Sequence, residues 1–492
     1  MAIALALSPL IVVGVAALLL MLVEAFSSRR GGLALGAAVV LFTGGVFAGV
    51  LWMIGLETIG DVSALMPWIV VDRFTLFFDM LLCFSGAVAA LLAGGYLPEH
   101  QLERGEFYTL ILFSTFGAMV LAAAGDALTL FLGLETMSIG AYAMTAFRRS
   151  SARSAEAALK YFLLSSFAAA ILVYGFALLY GATGHTDLTS IGAAARGAPA
   201  HNPLLIVGAV LVLVGVVFKV SAVPFHAWTP DAYEGAPTPA TTFMAVAVKA
   251  AAFAMLLRVL GFSLGDEAWT SWASGWPPVM ATLAVLTMTV ANLIAGRQDS
   301  VKRMLAYSSI AHAGYALVGV TALMRNPAEA GASVLYYLLA YSVSTAGAFG
   351  SLILCGSRGR EAVSYEDLSG LGKRHPAAAL GFSLFLLSLA GVPPTAGFFG
   401  KWFVFKAAID NGLYWLAIVA FVNSVIGAYY YLRVLVYMYM REPAAGAPVA
   451  VPMRSGYVTA ALLVSAALVL ALGLTPSRYL DMAVSAASLG AG

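Results

Sequence analysis

The sequence carries too little charge to belong to a water-soluble globule. Only 10% of its residues are Asp, Glu, Lys or Arg, against roughly 25% in soluble domains. The charges nearly cancel, at +2 overall. The basic residues are scattered through loops and helix ends rather than gathered in a patch, which argues against nucleic acid as a partner. There are only 2 cysteines. Cys83 and Cys355 both sit in apolar stretches, far apart and without CxxC or histidine spacing. That disfavours a disulfide framework, a zinc site or an iron–sulfur cluster within the chain. No strand-linked GxGxxG and no P-loop occurs, so the chain lacks the usual means of holding a nucleotide.

What the sequence has instead is apolar length. Hydrophobic residues make up 61% of it, and the mean hydropathy is +0.92. This is an all-α integral membrane protein. Counting apolar runs of about 18 residues or more gives about 14 transmembrane helices. The N-terminal run, MAIALALSPLIVVGVAALLLMLVEAF, lacks a basic leader and is long enough to span, so it reads as a first helix rather than a cleaved signal peptide. Arg29, Arg30, Arg104, Arg148, Arg149, Arg153, Arg297, Lys302, Arg303, Arg358, Arg360, Lys373, Arg374, Arg441 and Arg454 fall on alternate connections, whereas Arg73, Arg196, Arg325 and Arg478 fall on the others. By the positive-inside rule both termini face outward. No composition shift marks a soluble domain, so residues 1–492 read as a single membrane domain.

Charges inside the spans are where chemistry is expected, because a lysine at mid-membrane costs roughly 3 kcal/mol on insertion scales. The stretch FKVSAVPFHAWTPDAYEGAPTPATTFMAVAVK, from Phe218 to Lys249, holds two lysines and a histidine around Pro224. Proline gives no N–H and clashes with the carbonyl four residues earlier, so a helix must break there. Broken helices at that depth survive only where protein or water lines them. A counterpart, AGVPPTAGF, surrounds Pro393 and Pro394. Each break lies in the fourth helix of a five-helix set, 107–262 and 277–440, and the helix count between them turns the second copy over. Two inverted five-helix repeats follow, with helices 1–3 in residues 1–106 before them and a last helix at 455–475. Broken helices at matching places in inverted repeats point to a transport site.

Glu135, about nine residues into its span, needs a partner, and Lys219 is the natural one. A purely structural ion pair is the plainer alternative to a functional one. Lys249 lies mid-span with no acidic residue near it in sequence, which makes its neutral form accessible and suits a proton relay. Lys401 follows the second break and likewise has no acidic partner within its own half, so either its proton leaves easily or a neighbouring protein supplies the acid. Lys160 sits near the inner end of its helix and reads equally as an anchor or a relay. His226 and His312 can pass protons through two ring nitrogens, although a lone histidine is commonly just a hydrogen-bonded core residue. Lys406 and Asp410 read as a local pair, and Asp79, Arg258 and Arg433 as interfacial anchors.

These motifs together, KVSAVPFHAWTPDAYEGAPTPATTF with FLGLETMS upstream and VKRMLAYSSIAHAGY and GVPPTAGFFGKW downstream, resemble the antiporter-like subunits of proton-pumping NADH:quinone oxidoreductase, respiratory complex I. PFHxWTPDxYxGAPxP is similar to the N type, and Lys401 and the absence of a long C-terminal lateral helix separate it from the M and L types. The resemblance covers nearly the whole chain. It implies a non-redox translocase subunit in which Glu135 and Lys219 form an ion pair, Lys249 is the central lysine, Lys401 the exit-side lysine, and Lys160, His226 and His312 accessory positions. It also implies no cofactor in this chain, with flavin, iron–sulfur clusters and quinone on other subunits. The implied partners are other membrane-arm subunits, one with an acidic residue facing Lys401, and lipids. The implied location is an energy-transducing membrane, bacterial inner membrane first. A subunit of a multi-component sodium/proton antiporter is the alternative.

Overall fold

The computed structural model describes residues 1–26, 32–197, 202–357, 359–443 and 449–487. Arg29, Arg30 and Arg358 of the charge pattern lie outside them.

Every major element is an α-helix, as the apolar runs require. Among the described residues 11 helices are long and apolar enough to cross a membrane. Val301–Ala322 has the length as well but opens on Lys302 and Arg303. Two further passes are each made of two pieces: Pro203–Lys219 followed by Trp228–Gly235, and Pro376–Ala390 followed by Ala396–Asp410. Together these make fourteen. Helix starts are set by short polar side chains that accept the first free amides: Asp126 from Leu128, Ser151 from Ser154, Asn202 from Leu204 and Ser300 from Arg303. The connection between Gly184 and Pro203 is not plain loop, since Leu188–Gly197 is helical.

Burial sorts the helices by role. The Lys249 helix, Thr238–Ser263, is surrounded by protein along all but its last turn, where Gly261 is exposed, whereas Ser8–Phe26 has only 22% of its span covered. A helix that is apolar all round must lie either in a core or in lipid, and these two are the opposite cases. The Lys249 helix also departs from regular geometry. π-Helical turns at Met244–Val248 and Val259–Ser263 flank a regular segment, Lys249–Arg258. Glycine allows close approach where backbones nearly touch. A Cβ on Gly133 would sit 2.6 Å from the Leu121 amide nitrogen, which holds Glu106–Ala123 against the Glu135 helix, Ala127–Thr145.

Both breaks satisfy the backbone groups they free. At the first, Trp228 Nε1 donates to Phe218 O at 3.2 Å, and Val223 N donates to Thr287 Oγ1 at 2.9 Å. At the second, the helix stops at Gly391, whose φ of 90° only glycine adopts cheaply. The carbonyl of Ala390, freed there, accepts from Lys401 Nζ at 2.9 Å.

Candidate functional site

The site residues fall into three groups. The first surrounds Lys219, the last residue before the first break. Its ammonium donates to Ser138 Oγ at 2.8 Å and Ser165 Oγ at 2.6 Å, and lies 5.5 and 5.4 Å from the rings of Tyr142 and Tyr161. The expected direct ion pair with Glu135 is not formed. Glu135 stands three residues before Ser138, half-exposed, and among the described residues its Oε1 has no hydrogen-bond partner. It is near enough to act on Lys219 through space. The two serine hydroxyls take two of the ammonium's three N–H groups, and Glu135 acts on that charge through space.

The second group joins Lys249, His312 and Lys401, all buried. Lys249 Nζ donates to the carbonyl and the hydroxyl of Ser309, both at 2.6 Å. Tyr341 donates to the same hydroxyl at 2.8 Å. One turn along, His312 places Nδ1 2.6 Å from Tyr337 Oη and Nε2 3.0 Å from Tyr431 Oη, and Tyr431 also meets Ser308 in a short hydrogen bond. Lys401 donates to Ala390 O and to Ser424 Oγ, each at 2.9 Å, and faces the Tyr315 ring at 5.1 Å. His312 lies within electrostatic reach of both lysines. A void of about 10 Å³, room for a single water, lies beside it, bounded by Tyr337, Ser344, Ser388 and Gly400. Among the described residues no carboxylate pairs with Lys249 or Lys401. Each ammonium is held by neutral oxygens alone, which stabilise it without fixing it.

The third group lies beyond the first break, around Trp228–Gly235, among the basic loops. Lys160 is half-exposed there and binds Glu156 at 2.7 Å and Asp231 at 3.1 Å, so it anchors a surface network rather than lying on the buried line. Arg303 reaches Asp231 at 3.0 Å, and Arg153 reaches Glu234 at 3.1 Å. Glu361, in the loop after Cys355, ties several helix ends together. It accepts from Tyr96 Oη at 2.5 Å, Thr238 Oγ1 at 2.7 Å and Lys302 Nζ at 3.3 Å, with Arg148 donating to Tyr96 Oη at 2.8 Å. Burial acts against its charge, but the Lys302 ammonium, the two hydroxyls and Arg148 hold the carboxyl down at about 2. His226 lies on the break itself, half-buried, and among the described residues its Nδ1 has no hydrogen-bond partner. It joins neither lysine group.

Two of the expected anchors are in fact internal. Arg258 is fully buried and binds Asp72 through both arms, at 2.6 and 2.7 Å; Asp79 is buried as well. Both sit within reach of an interface by sequence count, but the packed helices around them close that path. Arg433 does behave as an anchor, donating to the Gly296 and Gln298 carbonyls, and Lys406 pairs with Asp410 at 2.5 Å and Glu329 at 3.0 Å. Ser138, Ser165, Ser308, Ser309, Tyr337, Tyr341 and Tyr431 complete the lysine shells and had not stood out in the sequence. The available signal was the hydroxyl density of YSSIAH and LYYLLAY beside the singled-out histidine.

A helix broken at buried Lys219, a second break whose freed carbonyl binds buried Lys401, and a hydroxyl-lined histidine between Lys249 and Lys401 are the marks of an antiporter-type membrane protein. Residues 124–427 match the family described as NADH:quinone oxidoreductase/Mrp antiporter, TM. A chain of the Mrp complex from Dietzia sp. DQ12-45-1b shares the fold, with a TM-score of 0.85 at 23% identity over 99% of this chain and 97% of that one. Within that class the likeness narrows. The chain is 68% identical to NADH-quinone oxidoreductase subunit N 1 of Sorangium cellulosum, covering 98% of each. A chain of respiratory complex I from Thermus thermophilus superimposes with a TM-score of 0.80 at 35% identity, over 97% of this chain and 99% of that one. The protein belongs to the subunit N family of NADH-quinone oxidoreductase.

Proposed function

We propose that this chain is a proton-translocating membrane-arm subunit of a respiratory complex I, moving protons along the Lys249, His312 and Lys401 line without redox chemistry of its own. The observation that carries the reading is His312, held by two tyrosine hydroxyls between two buried lysines that no carboxylate neutralises. A proton taken up on the inner side resides on Lys249 as an ammonium bound to Ser309. It leaves through the Ser309, Ser308 and Tyr431 hydroxyls and water to His312, whose second nitrogen faces Tyr337. From there it reaches Lys401, and it is released outward when Lys401 becomes neutral. Glu135 and Lys219 act as the switch. A neighbouring subunit that alters the charge beside the half-exposed Glu135 changes how far Lys219 is compensated. An uncompensated ammonium on Lys219 raises the cost of a second one on Lys249.

The two breaks support reading 107–262 and 277–440 as inverted repeats, each with one half-channel. The partners are the other membrane-arm subunits and lipid. An acidic residue of one neighbour faces Lys401 past the half-exposed Ser424. Flavin, iron–sulfur clusters and quinone reside on other subunits, the membrane is a bacterial inner membrane, and both termini lie on its outer side. The test is NADH-driven proton pumping in membranes carrying Lys249→Ala, with reduction of an artificial electron acceptor as the assembly control. Pumping and quinone-linked turnover collapse while acceptor reduction stays. Full pumping in that variant refutes the line, and dependence of transport on sodium rather than protons favours the antiporter alternative.

A further inference from the structure

A second set of buried charges lies away from the lysine line, on the face that carries the chain ends. An open cavity of about 1250 Å³ lies there, bounded by Glu57, Asp72, Arg73, Arg196 and Asp266, with Ser485 near the C-terminus on its wall. Asp72 closes its floor. The carboxylate holds the Arg258 guanidinium through both oxygens, at 2.6 and 2.7 Å. The same guanidinium gives Nε to Ala122 O at 3.1 Å and a further N–H to Thr75 Oγ1 at 2.7 Å. Thr75 is one turn further along the helix Arg73–Glu99, and Asp79 one turn beyond that. Spacings of three and four residues put Asp72, Thr75 and Asp79 on one helix face. Asp79 is 2% exposed, and among the described residues its Oδ1 has no hydrogen-bond partner.

An acid does little structural work in that position. A side chain kept only for packing costs less as an amide or an aliphatic, and an unpartnered buried carboxyl oxygen forfeits a hydrogen bond. Arg258, with four of its five N–H groups already engaged, is committed to Asp72 and does not serve Asp79. The arrangement is a buried carboxyl, a hydroxyl one turn above it and a guanidinium clasp, stacked beneath a cavity. We propose that Asp79 is a second proton-holding site, separate from the lysines, which exchanges its proton with the outer cavity when the Arg258–Asp72 clasp opens. In that step the Asp79 O–H bond breaks, the proton passes to water in the opened floor, and Arg258 swings past Thr75 to pair the carboxylate left behind. Reprotonation of Asp79 returns Arg258 to Asp72.

The test uses the purified, assembled complex. Infrared difference spectra of the protonated-carboxyl stretch are taken in H₂O and D₂O for the unaltered protein, Asp79→Asn and Asp72→Asn. The expected result is a deuterium-sensitive band that Asp79→Asn abolishes and whose exchange Asp72→Asn speeds severalfold, because the clasp is gone. An identical band in Asp79→Asn shows that Asp79 holds no proton and overturns the proposal. Unchanged exchange in Asp72→Asn overturns the route. Should Asp79→Asn fail to assemble, Asp79→Glu takes its place, and a band that does not shift in that variant is equally fatal. The infrared readout stands whichever ion the complex carries, so its failure is distinguishable from failure of the lysine line. Protons pumped per NADH then report on use: a lower ratio in Asp79→Asn at full acceptor reduction supports a working site, and an unchanged ratio overturns that role.

Discussion

Replacing Glu361 by glutamine separates the charge of its clamp on the helix ends from its shape. Gln Oε1 can still accept from Tyr96 and Thr238, so the hydrogen-bond frame survives, but Lys302, only 1% exposed, loses its counter-ion. The carboxyl is held at about 2 against an ordinary 4.5. That difference of roughly 2.5 units corresponds to about 3 kcal/mol. Because the folded value lies below the unfolded one, this stability is fully present above about pH 4.5 and disappears as pH falls toward 2. The assay is thermal melting of the purified chain in detergent from about pH 6 to about pH 3. The unaltered protein has the higher melting temperature at pH 6 and loses the advantage on acidification, while Glu361→Gln starts lower and changes less across the same window. If both proteins lose stability in parallel, Glu361 does not carry the charge that holds Thr238 and Lys302 together.

Gly391→Ala places a side chain where φ is 90° and a Cβ would lie 3.1 Å from Lys401 Cδ; a loss of about 1 to 2 kcal/mol in stability accompanies reduced pumping, and unchanged pumping shows that Lys401 has freedom the packing does not suggest. Tyr431→Phe removes the one hydroxyl that meets both Ser308 and His312; pumping falls by roughly tenfold to a hundredfold if that hydroxyl carries the proton, on the scale of a lost general acid–base group, with acceptor reduction unchanged, and a fall of less than twofold assigns the transfer to water alone.

The membrane class, the helix count and both breaks were legible in the sequence because each is a local property. Apolar length dictates a span, and proline removes an amide wherever it stands. The same is true of the lysines, which are costly in hydrocarbon whatever surrounds them. Their partners were not legible. Lys219 meets Ser138 and Ser165 from two other helices, and Glu135 stands apart from it. Lys249 and Ser309 are 60 residues apart, and His312 and Tyr431 are 119 apart. Such distances are closed only by helix packing, which follows from summed shape rather than from any one motif. Burial decided the rest. Arg258 and Asp79 sit at depths from which an isolated helix reaches an interface, yet neighbouring helices enclose both. Glu361 reads as an exposed loop carboxylate until three helix ends converge on it. Which charges enter the membrane and where helices must break follow from local composition. Which of those charges meet depends on which faces of distant helices lie together, and that is a matter of packing.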